Sequence, residues 1–239
     1  MDLETAVGAL RAKGKANTAK IYARHGVKEP CFGVSYADLG ALVKRTGVDQ
    51  RLALGLWKTG NHDARVLATK VADPAKMTVG EVTRWIRGAS NYVITDAVAG
   101  LAARMPQALE LGRTWVADKG EWVSAAGWNV LSVVAMNGGL DVKEGRALLA
   151  RIRKGIHRSP NRTRYSMNNA LIALGSIPEL REEALEAAAA VGRVEVDHGE
   201  TGCKTPDAAA YIKKMAARKA PKRTRVTGAR MATSTARRA

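Results

Sequence analysis

The stretch of sequence that decides the fold runs from residue 92 to residue 136: YVITDAVAGLAARMPQALELGRTWVADKGEWVSAAGWNVLSVVAM. Its apolar spacing predicts three consecutive helices, which are Tyr92–Met105, Pro106–Ala117 and Glu121–Met136. In the first of them, apolar residues at i, i+3, i+4 and i+7 form the stripe that a helix buries in a core: Ile94, Ala97, Val98 and Leu101. The stretch therefore predicts short, closely packed amphipathic helices.

Working outward, the same pattern covers almost the whole chain. Helices are predicted at Leu3–His25 (loosened by Gly14), Tyr36–Thr46, Asp49–Lys58, Asp63–Val71, Thr78–Arg87, Val142–Lys154, Pro160–Leu174, Glu179–Val191 and Pro206–Arg218. Capping boxes are predicted at Thr78 with Glu81 and at Asp141 with Glu144, and a cap residue before a first-turn proline at Ser159-Pro160. Only residues 194–196 (VEV) resemble a strand.

The predicted helices form pairs. The second helix of each pair begins near Asp63, Tyr92, Glu121 and Pro160, at spacings of 29, 29 and 39 residues. This irregular repeat indicates an all-α fold, a HEAT/armadillo-like α-α superhelix of antiparallel helix pairs. Such a solenoid lines its concave face with one ladder of helices, which is its natural binding surface. A compact helical bundle without repeats remains the alternative.

Composition agrees with a helical protein that binds an anionic partner. Of 239 residues, 46% are hydrophobic but only 5% are aromatic, which favours close-packed helices over a β-sandwich or barrel. The net charge is +17, and ten basic residues with no acidic one lie between Lys213 and Ala239. We therefore expect a domain over residues 1–218 and a basic, disordered tail over residues 219–239. The tail favours nucleic acid as the partner, with a purely solubilising role as the alternative.

Several classes of protein are not favoured. No apolar run reaches the roughly 18–20 residues of a membrane span. Two cysteines do not make a disulfide framework, and Met1–Glu4 lacks the order of a signal peptide, so we expect a cytoplasmic protein. Asp197, His198 and Cys203 are metal-ligand types without a second pair at ligand spacing, so neither a metal nor a cofactor is expected.

Three groups of residues could carry function. Tyr92 and Asp96 are i,i+4 neighbours off the core stripe, which places an aromatic ring beside a carboxylate. Residues 121–129 (EWVSAAGWN) hold two tryptophans around Gly127, a position where another backbone could approach closely. Residues 151–169 carry the cations Arg151, Arg153, Lys154, His157, Arg158, Arg162 and Arg164, followed by Asn168 and Asn169. Each group also has an ordinary reading, as core packing or as a solvated charged surface.

Ordered blocks of this sequence resemble a known family. They are residues 26–30 (GVKEP), 56–65 (LWKTGNHDAR), 164–169 (RYSMNN) and 194–199 (VEVDHG) with Cys203-Lys204. Together they are similar to the AlkD-type DNA glycosylases, the bacterial DNA alkylation-repair proteins with HEAT-like repeats. The resemblance implies an α-solenoid whose basic concave groove holds duplex DNA, and a reaction that releases cationic N3- or N7-alkylated purines.

The resemblance also implies roles for particular residues. Asp96 matches the catalytic aspartate, which stabilises the positive charge that develops on the sugar, and Tyr92 takes the place of the family's first aromatic residue. The family's arginine, three residues after a tryptophan, falls at Ala125, and its second aromatic falls around Asn168–Leu171, where none stands. Other residues expected to contact DNA are Arg65, Trp122, Asn129, Arg153, Lys154, Arg158, Arg162, Arg164, Asn168 and Asn169.

Three functions therefore stay open at this stage. The first is a monofunctional N-glycosylase, presumed monomeric, that acts on alkylated duplex DNA. The second is a non-catalytic relative that recognises damaged or distorted DNA, which the alanine at position 125 favours. The third is a helical-repeat scaffold for protein partners, which the basic tail disfavours.

Overall fold

A computed structural model describes residues 1–219, and within them every regular element is helical. The thirteen α-helices are α1 (Leu3–Lys13), α2 (Ala16–Arg24), α3 (Tyr36–Thr46), α4 (Gln50–Lys58), α5 (His62–Val71), α6 (Val79–Arg87), α7 (Tyr92–Ala102), α8 (Ala108–Val116), α9 (Glu121–Met136), α10 (Val142–Gly155), α11 (Asn161–Leu174), α12 (Arg181–Val191) and α13 (Ala208–Lys219). Short 3₁₀ turns at Ile156–Arg158 and Pro178–Leu180 precede α11 and α12. Residues 194–196, which resemble a strand in the sequence, form no β-strand.

The helices stack as the predicted pairs. Each outer helix packs against the inner helix that follows it, as α4 does on α5, α6 on α7 and α8 on α9. The inner helices also contact one another in series, from α5 to α7, α9, α11 and α13. This ladder confirms the predicted HEAT-like solenoid, and its helices begin within one residue of the four predicted starts.

The segment between α12 and α13 approaches the end of α2. A Cβ placed on Gly199 would lie 3.8 Å from the carbonyl oxygen of Arg24, at the end of α2. His25 bonds the Tyr92 hydroxyl, which joins the N-terminal segment to the middle of the ladder. The inner helices therefore line a concave groove, with the segment between α12 and α13 at one side.

Close backbone approach fixes the packing of α8 on α9. A Cβ added to Gly127 would lie 2.5 Å from the backbone nitrogen of Val116, and one added to Gly112 would lie 2.6 Å from Leu131 Cδ2. Gly127 therefore has no room for a side chain, because its close neighbours are backbone atoms, whereas a side chain at Gly112 would require the Leu131 side chain to move. The prediction that Gly127 admits a close backbone is therefore confirmed.

The predicted helix boundaries are mostly confirmed, with two corrections at caps. Thr78 and Glu81 form the full capping box. Asp141 caps the amide of Glu144, but the Glu144 carboxylate instead pairs with Arg113 at 2.6 Å. Ser159 is not the cap of α11, because its hydroxyl donates to the Gly155 carbonyl and Pro160 occupies the cap position.

The predicted helix at Leu3–His25 is wrong in one respect: it is two helices. The chain turns at Gly14, where the backbone is extended, and the Lys15 amide donates to the Gly33 carbonyl at 3.0 Å. A Cβ on Gly14 would lie 2.5 Å from the carbonyl oxygen of Phe32. Packing of the loop before α3 against this turn therefore breaks the helix.

Within residues 1–219, no helix combines the length and apolarity needed to cross a bilayer. The predicted domain boundary at residue 218 falls at the end of α13. The predicted tail lies almost wholly outside the described residues.

Candidate nucleic-acid interface

The first turns of α7 bring the predicted site residues into the groove. Asn91 caps the helix through the amide of Ile94, which fixes where α7 begins. Ile94, Val98 and Leu101 are fully buried, as the core stripe predicts, so the opposite face carries Tyr92 and Asp96 toward the groove. Helical spacing alone accounts for this placement. The fourth residue of the predicted stripe, Ala97, is instead half-buried and lines a pocket beside Asp96.

Asp96 is exposed but crowded. Asn129 on α9 donates its side-chain amide to Asp96 Oδ1 at 2.7 Å. Water reaches the carboxylate, yet protein atoms surround its other sides, and this loss of hydration raises its pKa to about 6. The charge of Arg162 and the bond from Asn129 act in the opposite direction. Asp96 is therefore a carboxylate that gives up its charge in mildly acidic solution.

Arg162, from the first turn of α11, fills the groove beside Asp96. Its guanidinium lies 4.1 Å from the ring centroid of Tyr92 and 4.5 Å from that of Tyr165. The backbone amide of Arg162 donates to Glu121 Oε1 at 2.6 Å, so the start of α9 holds the start of α11. Two tyrosine faces are thereby engaged by a cation of the protein itself.

Both ends of the chain brace this group. Burial is the main cause that raises the pKa of Tyr92 to about 12, with Cys203 as the next contributor. Glu29 accepts hydrogen bonds from Ser90 and from Asn91, immediately before α7. In the sequence, residues 26–30 carry only a family resemblance, because the contacts that give Glu29 this bracing role span more than 60 residues.

A second aromatic ring does lie at this group, at Tyr165, three residues before the stretch Asn168–Leu171 where the family resemblance placed one. Its ring meets that of His198 edge-on at 5.5 Å, and His198 Nε2 bonds Thr205 Oγ1 at 3.0 Å. The tyrosine lay in the quoted 164–169 block, three residues before the expected stretch. Spacing from the first turn of α11 was the signal that could have found it.

Ala125 leaves the groove without an arginine on α9. It lies one helical turn before Asn129 and is 1% exposed, so its neighbours cover the methyl group. A side chain as long as arginine would have to displace them. The cation next to Asp96 comes instead from the neighbouring helix, at Arg162.

Three of the predicted DNA contacts lie exposed at one edge of the groove, at and just beyond the end of α10: Arg153, Lys154 and Arg158. The antiparallel pairing places the C-terminal end of each outer helix at this edge. Cations at this end of a helix are stabilised by the negative end of the helix dipole. Other exposed cations close the remaining outer helices or follow them directly: Lys58, Arg87, Lys119 and Arg193. This basic edge is suited to a phosphate backbone.

Three other predicted contacts are engaged within the protein, and their contact with DNA stays a prediction. Asn168 is 1% exposed and donates to the Pro206 carbonyl at 3.0 Å. Arg164 donates to the carbonyls of Glu195 and Ser159. The Arg65 guanidinium lies over the ring of Trp57 and pairs with Glu29.

The last two predicted contacts, Trp122 and Asn169, are also half-buried. Trp122 packs against the core, and Asn169 keeps part of its side chain accessible. Within residues 1–219, no three His, Cys, Asp or Glu side chains converge as a metal site would require.

Comparison with known proteins identifies the family. The sequence profile described as DNA alkylation repair enzyme matches residues 7–224. The chain belongs to the DNA alkylation repair enzyme family. Its relatives include uncharacterized proteins of Listeria innocua and Listeria monocytogenes, each 32% identical to it over 86% of this chain and 93% of theirs.

A solved structure supports the same assignment. It is described as a new family of proteins related to the HEAT-like repeat DNA glycosylases with affinity for branched DNA structures. It is 33% identical to this chain, with a TM-score of 0.83, and the match covers 91% of this chain and 95% of that one. This member of the DNA alkylation repair family therefore shares the HEAT-like fold over most of its length.

Proposed function

We propose that this protein binds branched or distorted DNA along its concave groove and does not excise bases. The observation that carries the proposal is the engagement of Tyr92 and Tyr165 by Arg162. A glycosylase of this fold needs an aromatic face and a carboxylate free for a cationic base. Here the cation at those faces belongs to the protein.

The positive charge of the protein and its similarity to a DNA-binding relative support DNA binding as its activity. The basic edge at the end of α10 and the net charge of +17 favour a polyanion. The structural relative with affinity for branched DNA shares the fold and a third of the sequence. We place this activity in the cytoplasm, on the nucleoid.

The test compares a four-way junction with a linear duplex of the same sequence, by fluorescence anisotropy at fixed salt. We expect tighter binding of the junction. Replacing Lys154 and Arg158 with glutamine should weaken binding about tenfold and lower the salt slope by about 2. The matched control replaces Lys143 and Arg146, exposed cations in the N-terminal half of α10, and should change DNA binding little, because Arg146 already pairs with Glu183. Equal affinity for both DNAs, or an equal loss in both variants, would contradict the proposal.

A second candidate, the monofunctional N-glycosylase for alkylated purines, is favoured by one observation. Asp96 is accessible in the groove and keeps the helical position of the family's catalytic aspartate. An oxocarbenium-like sugar beside it would be stabilised by its negative charge. If the protein is such a glycosylase, binding of DNA must displace Arg162 from Tyr92. Release of a free alkylated base is the measurement that decides between the two functions.

A further inference from the structure

The groove continues past Asp96 into a pocket that the sequence analysis did not anticipate. It has a volume of about 480 Å³ and lies between α3, α5 and α7. Its lining combines one aromatic ring, one carboxylate and three cations, which are Tyr36, Asp96, Lys44, Lys70 and Arg104. Arg104 donates to the carbonyls of Gly100 and Thr69. Pockets that hold small ligands measure about 300–1,000 Å³, so this one is large enough for a ring system with a charged substituent.

Polar contacts hold the backbone that leads into α3, and the first residue of α3 is the aromatic residue of this pocket, Tyr36. Asp63, fully buried at the start of α5, accepts the backbone amides of Phe32, Gly33 and Val34 at 2.7–3.1 Å. Ser35 then caps α3. Tyr36 follows directly; its ring meets that of Tyr22 edge-on at 6.4 Å, and the residue is 55% exposed. A ring that has a neighbour on one side and an exposed face can bind a flat partner with a smaller loss of side-chain entropy than a ring without contacts.

The charges around the ring restrict what the pocket can hold. Lys44 and Lys70 are exposed in the last turns of α3 and α5, and neither forms an ion pair with any described residue. Asp96 Oδ1 is taken by Asn129, so Oδ2 is the acceptor available to a ligand among the contacts of residues 1–219. An acidic peptide would be repelled by Asp96, and a basic peptide by the lysines.

We propose that this pocket binds one unpaired nucleotide, with its base against Tyr36, its phosphate at Lys44 and Lys70, and a base amino group on Asp96. A nucleotide carries a flat ring, an anion and an N–H donor in one small unit, which matches the lining. Branched and distorted DNA present such unpaired nucleotides, so the inference rests on the proposed function and names the part of the DNA that this site recognises. Adenine, guanine and cytosine have an exocyclic amine, whereas thymine does not.

The pocket can be blocked by a substitution that replaces none of its polar side chains. A Cβ added to Gly100, which lines the pocket on α7, meets no atom within 4 Å. Gly100→Leu therefore fills the space from an exposed position of a helix that favours leucine over glycine. Gly8 on α1 is equally open and lies outside the pocket, so Gly8→Leu is the matched control.

The experiment measures Kd by anisotropy for two DNAs, a fully paired duplex and the same duplex with a single-nucleotide cytosine bulge. Tyr36→Ala and Gly100→Leu should each weaken binding to the bulged DNA about tenfold, the effect of losing one base stack, and leave the paired duplex within about twofold. Tyr36→Phe should retain the preference. Gly8→Leu, and Tyr211→Ala at another exposed tyrosine, should behave as wild type.

Each outcome has one meaning. Loss confined to the bulged DNA supports the pocket as a nucleotide site. Equal weakening for both DNAs, or none, overturns it while the proposed DNA binding stands. Failure of the wild type to bind either DNA overturns the proposed function and this inference together. Displacement of the bulged DNA by micromolar deoxycytidine monophosphate would identify the free nucleotide, not one in a strand, as the ligand.

Discussion

The two halves of the groove on either side of Asp96 are built from the same helix pairs but are filled differently. In the half lined by α7, α9 and α11, which we call the filled half, Arg162 occupies the faces of Tyr92 and Tyr165. In the half lined by α3, α5 and α7, the open half, Tyr36 is exposed near Lys44 and Lys70, which form no ion pair within residues 1–219. On one side of Asp96 a cation of the protein thus lies on the aromatic faces, whereas on the other side Tyr36 meets the ring of Tyr22 edge-on at 6.4 Å and no cation of residues 1–219 lies over it.

This difference indicates that the open half can bind a ligand, whereas the filled half is not available to a cationic base. A cation that already lies on the aromatic faces beside Asp96 competes with a cationic base for the same surface. Lys44 and Lys70, which form no ion pair within the described residues, gain an electrostatic partner when an anion binds. The filled half therefore favours a fixed structure, and the open half favours a ligand. The following variants test this division.

The largest effect is expected from Asp63→Ala, which removes the buried support of the open half. Three backbone amides would lose their acceptor, and each buried amide left without a partner costs about 1–3 kcal/mol. We expect the free energy of unfolding, measured in urea, to fall by at least about 3 kcal/mol. Asp141→Ala, which removes an exposed helix cap, should cost only about 1 kcal/mol. Equal losses would mean that Asp63 does not support the open half as described.

A smaller effect, on binding alone, is expected from deleting Lys222–Ala239. The segment carries six basic residues and no acidic one. We expect weaker binding to both branched and linear DNA, with the salt slope lowered by up to about 5, because fewer counterions are released. The preference for branched DNA should persist, since it arises in the groove. Unchanged affinity and slope would assign the tail another role.

Arg162→Gln tests the filled half. Without the guanidinium charge, the pKa of Asp96 should rise above its value of about 6. Affinity for DNA should fall about threefold to tenfold with the loss of one cation. An NMR pH titration of the Asp96 carboxyl reads the first change and anisotropy reads the second. An unchanged Asp96 pKa would show that Arg162 does not act on this carboxylate.

Asp96→Asn should give the smallest change, and its sign depends on pH. The folded-state pKa of Asp96, about 6, lies above the unfolded value of about 3.9, so its contribution to stability is present below pH 4 and is lost as pH rises to 6. At pH 7 the Asn variant should therefore be slightly more stable, by less than about 1 kcal/mol, since water screens the exposed group. It should also bind unmodified DNA as well as wild type or slightly better. A marked drop in Tm would make Asp96 a structural residue.

The sequence predicted the ladder well, because helix periodicity is a local property. The inner helices were expected at Asp63, Tyr92, Glu121 and Pro160 and begin at His62, Tyr92, Glu121 and Asn161. The core stripe of α7 followed from spacing alone. The break at Gly14 was missed, since it depends on a loop some 18 residues away in sequence.

The site was predicted only in part, because its contacts are not local. Tyr92 and Asp96 share a helix face and were found together. Arg162 was expected to contact DNA, but its stack on Tyr92 joins residues 70 positions apart. Asn168 is polar in a helix, a pattern that does not distinguish a groove contact from a buried bond to Pro206.

The central claim is that the groove holds DNA without excising bases, because Arg162 occupies the aromatic faces beside Asp96. The direct measurement incubates excess protein with a duplex that contains N7-methylguanine and assays free base by chromatography, while anisotropy verifies binding. The account predicts that the duplex is bound and that no 7-methylguanine is released above the protein-free control. Release of the base by the wild type, abolished in Asp96→Asn, would contradict it.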